Sequence, residues 1–152
     1  MESEIYAYFM LTGMEFDPDE VTAKVSINPT ESWRKGDLIS ARGTRRHKEN
    51  GWSVYSKIEK SADLEEHINS VLEQLQPGWS PLRELCKFYA AEIACVIYYR
   101  SGSVPAIHFD KSIVEKVHQL NADKERSPFW VPCFLLWYSM NEKNQGLPER
   151  IG

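Results

Sequence analysis

The chain has 152 residues and a mass of 17.6 kDa, with 42% hydrophobic and 26% charged residues and a formal net charge of −4. This length predicts one domain over residues 1–152, and the composition excludes a disordered tail, a collagen-like repeat and a membrane bundle. The acidic balance also disfavours nucleic-acid binding through the overall field of the protein.

The N-terminal region predicts a strand followed by a helix. Residues 5–11 are aromatic and aliphatic, which is typical of a buried strand. Asp17 can then cap the first free amides of a helix, and Pro18 suits its first position. Asp19 and Glu20 complement the positive end of the helix dipole. We interpret these acids as structural rather than catalytic.

The middle of the chain carries the clearest helix. Residues 28–50 are polar and are predicted to be irregular, and residues 52–58 alternate like a half-buried strand. Residues 63–76 place apolar side chains at helical spacing behind an Asp63 cap. The Glu-Glu-His triplet at 65–67 is expected on the solvated face of this helix.

The second half of the chain alternates helices and strands. A shorter helix is predicted after Pro81, residues 93–99 give the strongest strand prediction, and another helix begins at Asp110. The apolar block at 129–138 is most simply a final strand. This block contains Pro132 and is too short to span a bilayer.

The order of these elements predicts an α+β domain. A strand and a turn are followed by Phe16-Asp17 and, later, by Phe109-Asp110, each in the placement of a hydrophobic staple at a helix start. This echo suggests two related β–α halves, an internal pseudo-repeat. We expect a mostly antiparallel sheet with helices packed on one side and ferredoxin-like character.

Motifs for catalysis, metal binding and nucleotide binding are missing from the sequence. No G-x-S-x-G, G-x-x-x-x-G-K-[ST], G-x-G-x-x-G or H-E-x-x-H pattern occurs. The serines at 32, 53 and 56 have no nominated base. We expect no cofactor, no metal and no enzymatic activity. The alternative is an uncharacterised enzyme that uses His108 with Asp110 as an acid–base pair.

The three cysteines, Cys86, Cys95 and Cys133, form no C-x-x-C pair and give no disulfide framework. Cys86 and Cys95 lie in apolar patterns, which predict buried, inert thiols. A reducing compartment fits such a chain best, and the acidic start of the chain is unlike a secretory signal. We expect a cytoplasmic protein.

The most distinctive polar segment lies between Trp33 and Trp52. Residues 33–48 hold one-third of the Lys and Arg of the chain, opposed only by Asp37. These cations are Arg34, Lys35, Arg42, Arg45, Arg46 and Lys48. Such a cluster is typical of an anion site, and Trp33 and Trp52 could stack on bases or anchor a protein partner. The alternative is a solvated loop whose tryptophans fold back onto the core.

Two further groups of residues are candidates for protein contact. The block 129–138 exposes aromatics, including Trp130 and Trp137, if one face of its strand stays outside the core, and such an edge would make a homodimer natural. The alternative is a central strand covered on both faces, which Pro132 disfavours. Acidic side chains could steer a basic partner towards the protein. They are Asp17, Asp19, Glu20, Asp63, Glu65 and Glu66.

An ordered set of short motifs also resembles a known family. The motifs are Phe16-Asp17-Pro18-Asp19-Glu20-Val21-Thr22, Pro29-Thr30, Trp33-Arg34-Lys35-Gly36-Asp37, Gly51-Trp52-Ser53, Leu64-Glu65-Glu66-His67-Ile68 and residues 105–110. Over residues 4–122 the chain is similar to a bacterial family called domain of unknown function 4279. The resemblance implies a small cytoplasmic α+β domain and carries no catalytic residues. Residues 123–152 depart from the family pattern.

Together these features predict a non-enzymatic binding protein. The most specific hypothesis is a bacterial immunity protein that neutralises a cognate toxin, because toxin nucleases are commonly basic and an acidic inhibitor gains association rate by steering. The alternative is nucleotide or nucleic-acid binding through the segment between Trp33 and Trp52. No membrane association is expected.

Overall fold

A computed structural model of the chain describes residues 4–99, 108–120 and 134–140. Its elements are, in chain order, β1 (Glu4–Gly13), α1 (Pro18–Val25), β2 (Glu31–Trp33), β3 (Asn50–Tyr55), α2 (Leu64–Leu75), α3 (Trp79–Leu85), β4 (Ala90–Tyr99), α4 (Lys111–Gln119) and β5 (Phe134–Met140). A short 3-10 turn at Gln76–Gly78 links α2 to α3. None of the described helices has the length and apolar character needed to cross a bilayer.

The strands form one sheet in the order β2-β3-β1-β4-β5. Strands β2, β3, β1 and β4 pair with one another in antiparallel fashion. Strand β5 lies at the edge and runs parallel to β4. The succession β1-α1-β2-β3-α2-β4 with β1 and β3 side by side is the split β-α-β arrangement of ferredoxin-like domains. The predicted α+β class and mostly antiparallel sheet are confirmed. The internal pseudo-repeat stays a prediction.

Strand β1 shows why the helices lie on one side of the sheet. Its alternate residues Ile5, Ala7, Phe9 and Leu11 are buried and share one core cluster with apolar residues of α1, α2, α3 and α4. Because side chains alternate between the two faces of a strand, the residues between them point to the opposite face. The sheet therefore has one face packed on helices and one face that no described helix covers.

Aspartates begin three of the helices, as predicted. Asp17 Oδ1 accepts a hydrogen bond from the backbone N–H two residues on, and Asp110 Oδ1 accepts one from the N–H three residues on, each at 2.9 Å. At the start of α2, Glu66 Oε2 accepts the backbone N–H of Asp63 at 3.1 Å. These contacts satisfy amides that have no partner within the helix.

Several predicted boundaries shift in the structure. Residues 28–50 contain β2 and a hydrogen-bonded hairpin, so the segment is more ordered than its polar composition suggested. Strand β3 covers Asn50–Tyr55 rather than 52–58. Helix α3 begins at Trp79, before Pro81, because proline is tolerated in the first helical turn. Of the predicted final strand, residues 134–138 lie in β5 and residues 129–133 lie outside the described residues.

Two side chains are buried differently from expectation. The prediction of a solvated His67 is wrong, because its position on α2 turns it towards β3 and the sheet, where it has no exposed surface. Cys95 is buried as predicted, and that burial raises the pKa of its thiol. Cys86 is only half-buried, and Cys133 lies outside the described residues.

Candidate functional site

Four tyrosines cover the sheet face opposite the helices, and we call this surface the tyrosine face. Tyr6 and Tyr8 come from β1, Tyr55 from β3 and Tyr98 from β4. The ring centroids of Tyr8 and Tyr55 are 4.9 Å apart, and the Tyr6 ring lies 6.0 Å from Tyr55 and 6.4 Å from Tyr98. The rings therefore form one continuous aromatic patch that crosses three strands.

Burial favours the protonated phenols of two of these tyrosines, Tyr6 and Tyr55. Burial, reinforced by the neighbouring Tyr98, raises the pKa of Tyr6 above its ordinary value. Burial also raises the pKa of Tyr55 to about 12, with a further contribution from the Glu31 carboxylate. A protonated phenol is both a donor and an acceptor of hydrogen bonds, so the patch joins apolar area to polar groups.

Carboxylates flank the tyrosine face. Strand register places Glu31, Ser53, Met10 and Glu92 in one row across four strands, with a glutamate at each end. In an antiparallel pair, residues directly opposite each other lie on the same face of the sheet. The two glutamates therefore lie on the same face of the sheet as the tyrosines, at the two ends of the row next to Tyr8 and Tyr55.

Residues 34–49, which we call the basic hairpin, fold beside this face. The backbone N–H of His47 donates to the carbonyl of Asp37 at 2.8 Å, and the N–H of Ile39 donates to the carbonyl of Arg45 at 3.0 Å. At its base, the Trp33 ring stacks on His47 with centroids 4.6 Å apart. The Trp33 ring packs directly against the backbone of Gly51, where a Cβ would lie 2.0 Å from the indole.

A cavity of about 490 Å³ lies between the tyrosine face and the basic hairpin. Its apolar and aromatic lining includes Tyr8, Met10, Trp33, Ile39, His47 and Tyr55. Its charged lining consists of Glu31, Lys48 and Glu49. This volume falls in the range of roughly 300–1,000 Å³ that is typical of ligand sites. The cavity is the concave part of the candidate site.

The structure joins two groups that the sequence suggested separately. Arg34 Nη2 contacts Asp17 Oδ1 at 2.8 Å and Asp19 Oδ2 at 3.1 Å. A hydrogen bond from the backbone N–H of Asp19 lowers the pKa of Asp17, and the Arg34 guanidinium lowers it further. A predicted cation of the anion site thus pairs with two predicted acids, and these three residues connect the hairpin to the start of α1.

The remaining basic residues divide by their contacts. Arg46 Nη1 donates to the carbonyl of Gly36 at 2.7 Å, which braces the hairpin internally. Four exposed cations make no ion pair with any residue of the described ranges. They are Lys35, Arg42, Arg45 and Lys48. These four are the part of the predicted anion site that stays available.

Trp52 belongs to the core rather than to a surface site. It has no exposed surface, its ring meets Phe9 edge to face at 6.3 Å, and its Nε1–H donates to Thr22 Oγ1 at 3.0 Å. This corrects the interpretation of Trp52 as a residue that stacks on a ligand, because β3 turns it towards the helices. Trp33 lies at the cavity and stays a candidate.

The remaining predicted contact residues are placed as follows. Glu20 and Glu66 are exposed, and Glu66 is engaged at the start of α2. A hydrogen bond with Asp110 raises the pKa of Glu65. Trp137 lies in β5 opposite Val96 in the backbone register. Trp130 lies outside the described residues.

The acid–base alternative gains little from the geometry. The carboxylate of Asp110 caps α4 through the N–H of Ile113, and this contact is the largest cause that lowers the pKa of Asp110. Asp110 also contacts Glu65, and the charge of the exposed His108 further lowers the pKa of Asp110. Asp110, one member of the proposed pair, therefore already serves as the N-cap of α4.

A serine–histidine contact was missed in the sequence. Ser56 Oγ lies 2.7 Å from His67 Nδ1 and also accepts the backbone N–H of Ala7 at 3.2 Å. Burial lowers the pKa of His67, and a contact with the backbone of Glu59 opposes this effect only in part. The pair packs α2 on the sheet with a neutral imidazole.

Nothing in the described ranges gathers three or more His, Cys, Asp or Glu side chains in a way that could hold a metal ion. Among known proteins, the family model for a domain of unknown function (DUF4279) matches residues 3–127. No curated protein and no solved structure matches the chain.

Proposed function

Since the chain belongs to the family described as domain of unknown function 4279, a description that assigns no activity, we propose a function from the surface of the chain itself. We propose a bacterial, cytoplasmic protein that acts without catalysis, by protein–protein contact through the tyrosine face. In its most specific form it is an immunity protein that neutralises a basic toxin.

The observation that supports this proposal is the clustering of four half-exposed tyrosines on a rigid sheet. Tyrosine is enriched at protein interfaces, because its ring supplies a large contact area with few rotatable bonds to immobilise. Neighbouring rings lie 4.9–6.4 Å apart, so a partner would meet one continuous surface. The phenol groups can make hydrogen bonds at its edge.

The charge around the patch favours a basic partner. Glu31 and Glu92 end the row of residues beside the tyrosines, and Glu49 lines the adjacent cavity. The whole chain carries a net charge of −4. Complementary charge raises the rate of encounter, which matters for an inhibitor that must reach its target before damage occurs.

Co-expression with the products of neighbouring genes tests the proposal. We expect one neighbour to be toxic alone, to become harmless with this protein, and to co-elute with it as a stoichiometric complex. Combined Tyr8→Ala and Tyr55→Ala substitutions are expected to abolish protection. Phe88→Ala removes an aromatic side chain that is 78% exposed and that the tyrosine face does not include, so it should protect like the parent.

Two results would overturn the proposal. One is equal death of cells with and without the protein for every neighbouring gene. The other is full protection by the double tyrosine variant, provided that its circular dichroism spectrum matches that of the parent. A protein that elutes alone as a homodimer, and becomes a monomer in the double variant, would assign the face to a second copy of the chain.

A second candidate function rests on the four exposed cations of the basic hairpin that pair with no residue in the described ranges. An anionic ligand such as a nucleotide or a single-stranded nucleic acid would bind there with a strong dependence on salt. Arg42→Ala combined with Arg45→Ala is expected to weaken such binding and to flatten its salt dependence. Salt-insensitive binding, or none, to RNA, DNA and nucleotides would remove this candidate.

A further inference from the structure

The cavity beside the basic hairpin has the lining of a cation site. Tyr8, Tyr55 and Trp33 line it, and the Trp33 ring also stacks on His47. The faces of phenol and indole rings carry negative potential and attract cations that come within about 6 Å. The rings of Tyr8 and Tyr55 stack on each other, with centroids 4.9 Å apart and an interplanar angle of 20°, so they form one aromatic block beside the cavity.

The charged groups that line the cavity also favour a cation. Two carboxylates, Glu31 and Glu49, outnumber the one ammonium group, Lys48. A phosphate or a carboxylate ligand would meet these two glutamates and would lose affinity by repulsion. The cavity therefore differs in sign from the outer surface of the hairpin, although the two share residues 47–49 as a border.

We propose that this cavity receives the guanidinium group of an arginine side chain from a basic protein partner. A guanidinium is planar, so it can lie flat on a phenol ring, and its N–H groups can reach a carboxylate in pairs. An ammonium group lacks the plane and the paired donors, so arginine should bind better than lysine.

The inference deepens the proposed function and rests on it for the identity of the partner. The chemistry of the cavity stands apart, because it can be measured with small probes. The pairing also gives the surface a division of roles. The tyrosine face supplies contact area, and the cavity selects a cationic anchor at one end of it.

Titration of the full chain with N-acetyl-arginine amide, followed by NMR of the Trp33 indole N–H, tests the proposal. N-acetyl-citrulline amide is the matched probe, because it has nearly the same shape without the charge. We expect the arginine probe to bind about 5–30-fold more tightly than the citrulline probe, as a cation on aromatic rings would. The lysine derivative should fall between the two.

Glu31→Gln supplies the matched variant of the protein. It keeps the shape of an exposed side chain, so it should fold, and we expect it to reduce the preference for arginine over citrulline several-fold. Glu20→Gln changes an exposed acid on α1 that does not line the cavity, and should keep the preference of the parent. Equal binding of the two probes, no shift at Trp33, or an unchanged preference in Glu31→Gln would overturn the proposal.

The outcomes separate this inference from the proposed function. Arginine-selective binding without any toxin partner would leave the cavity as a cation site and remove the immunity role. A toxin complex that forms while both probes bind alike would keep the role and remove the arginine anchor.

Discussion

The basic hairpin and the tyrosine face differ in where their residues come from and in what those residues do. The hairpin residues are contiguous in sequence, yet much of their chemistry serves the fold. Arg34 pairs with Asp17 and Asp19, and Arg46 binds a backbone carbonyl. The tyrosines come from three strands and form a patch with no fully buried member. The clustering of cations in the sequence therefore does not by itself make a binding surface, whereas the clustering of the tyrosines in space does form a continuous surface.

Replacing the two tryptophans at the borders of the hairpin should give the largest difference in stability between a core residue and a surface residue. Trp52→Ala should lower the free energy of unfolding by about 3–5 kcal/mol, because it empties a fully buried site. Trp33→Ala should cost about 1 kcal/mol, since it removes a half-buried ring and its stack on His47. Urea denaturation of both variants measures the difference. Equal losses would contradict the placement of Trp52 in the core.

A pair of glycines tests how the hairpin is attached. Gly51→Ala places a Cβ 2.0 Å from the Trp33 indole, so the ring must move and we expect a loss of about 1 kcal/mol, close to that of Trp33→Ala. Gly43→Ala, at the tip of the same hairpin, meets nothing closer than 3.9 Å and should leave stability unchanged or slightly raised. Thermal melts give the stabilities, and the NMR shift of the Trp33 indole reports the displaced ring.

The elements of the fold could be predicted because their signals are local. The aspartates at 17, 63 and 110 each precede a helix, and the apolar run of β4 needs no knowledge of its neighbours. Burial depended on partners. Trp52 borders the polar segment 28–50 and His67 follows two glutamates, so both were interpreted as exposed, and only the pairing of β3 with β1 and the docking of α2 on the sheet put them inside.

The tyrosine face was missed for the same reason. Tyr6 and Tyr8 are two residues apart, which places them on one face of a strand, and this spacing was the one local signal available. Tyr55 and Tyr98 join them only through the registers of β3 and β4 against β1. The alternating pattern of one strand can predict half of such a patch, but the other half requires the order of strands in the sheet.

The buried His67 predicts a pH dependence that an exposed histidine does not. Its folded-state pKa is lowered by burial, so the unfolded state binds protons more readily. Stability is therefore fully present above the unfolded-state pKa of about 6.5 and is lost as the pH falls below it. Urea denaturation across this range should show the slope. His67→Gln should reduce the slope, while His118→Gln, which changes an exposed residue of α4, should keep it.

The smallest effect is expected at Arg34, where the hairpin meets the start of α1. Both of its ion pairs are exposed, so water and salt screen them, and Arg34→Ala should change stability only slightly. The change should disappear at high salt, which melts of parent and variant at two ionic strengths would reveal. Lys111→Ala breaks an exposed pair within α4 and serves as the control for removing a cation. A loss at Arg34 that persists in high salt would show that the hairpin depends on this contact for its position, and the cavity would then depend on the same contact.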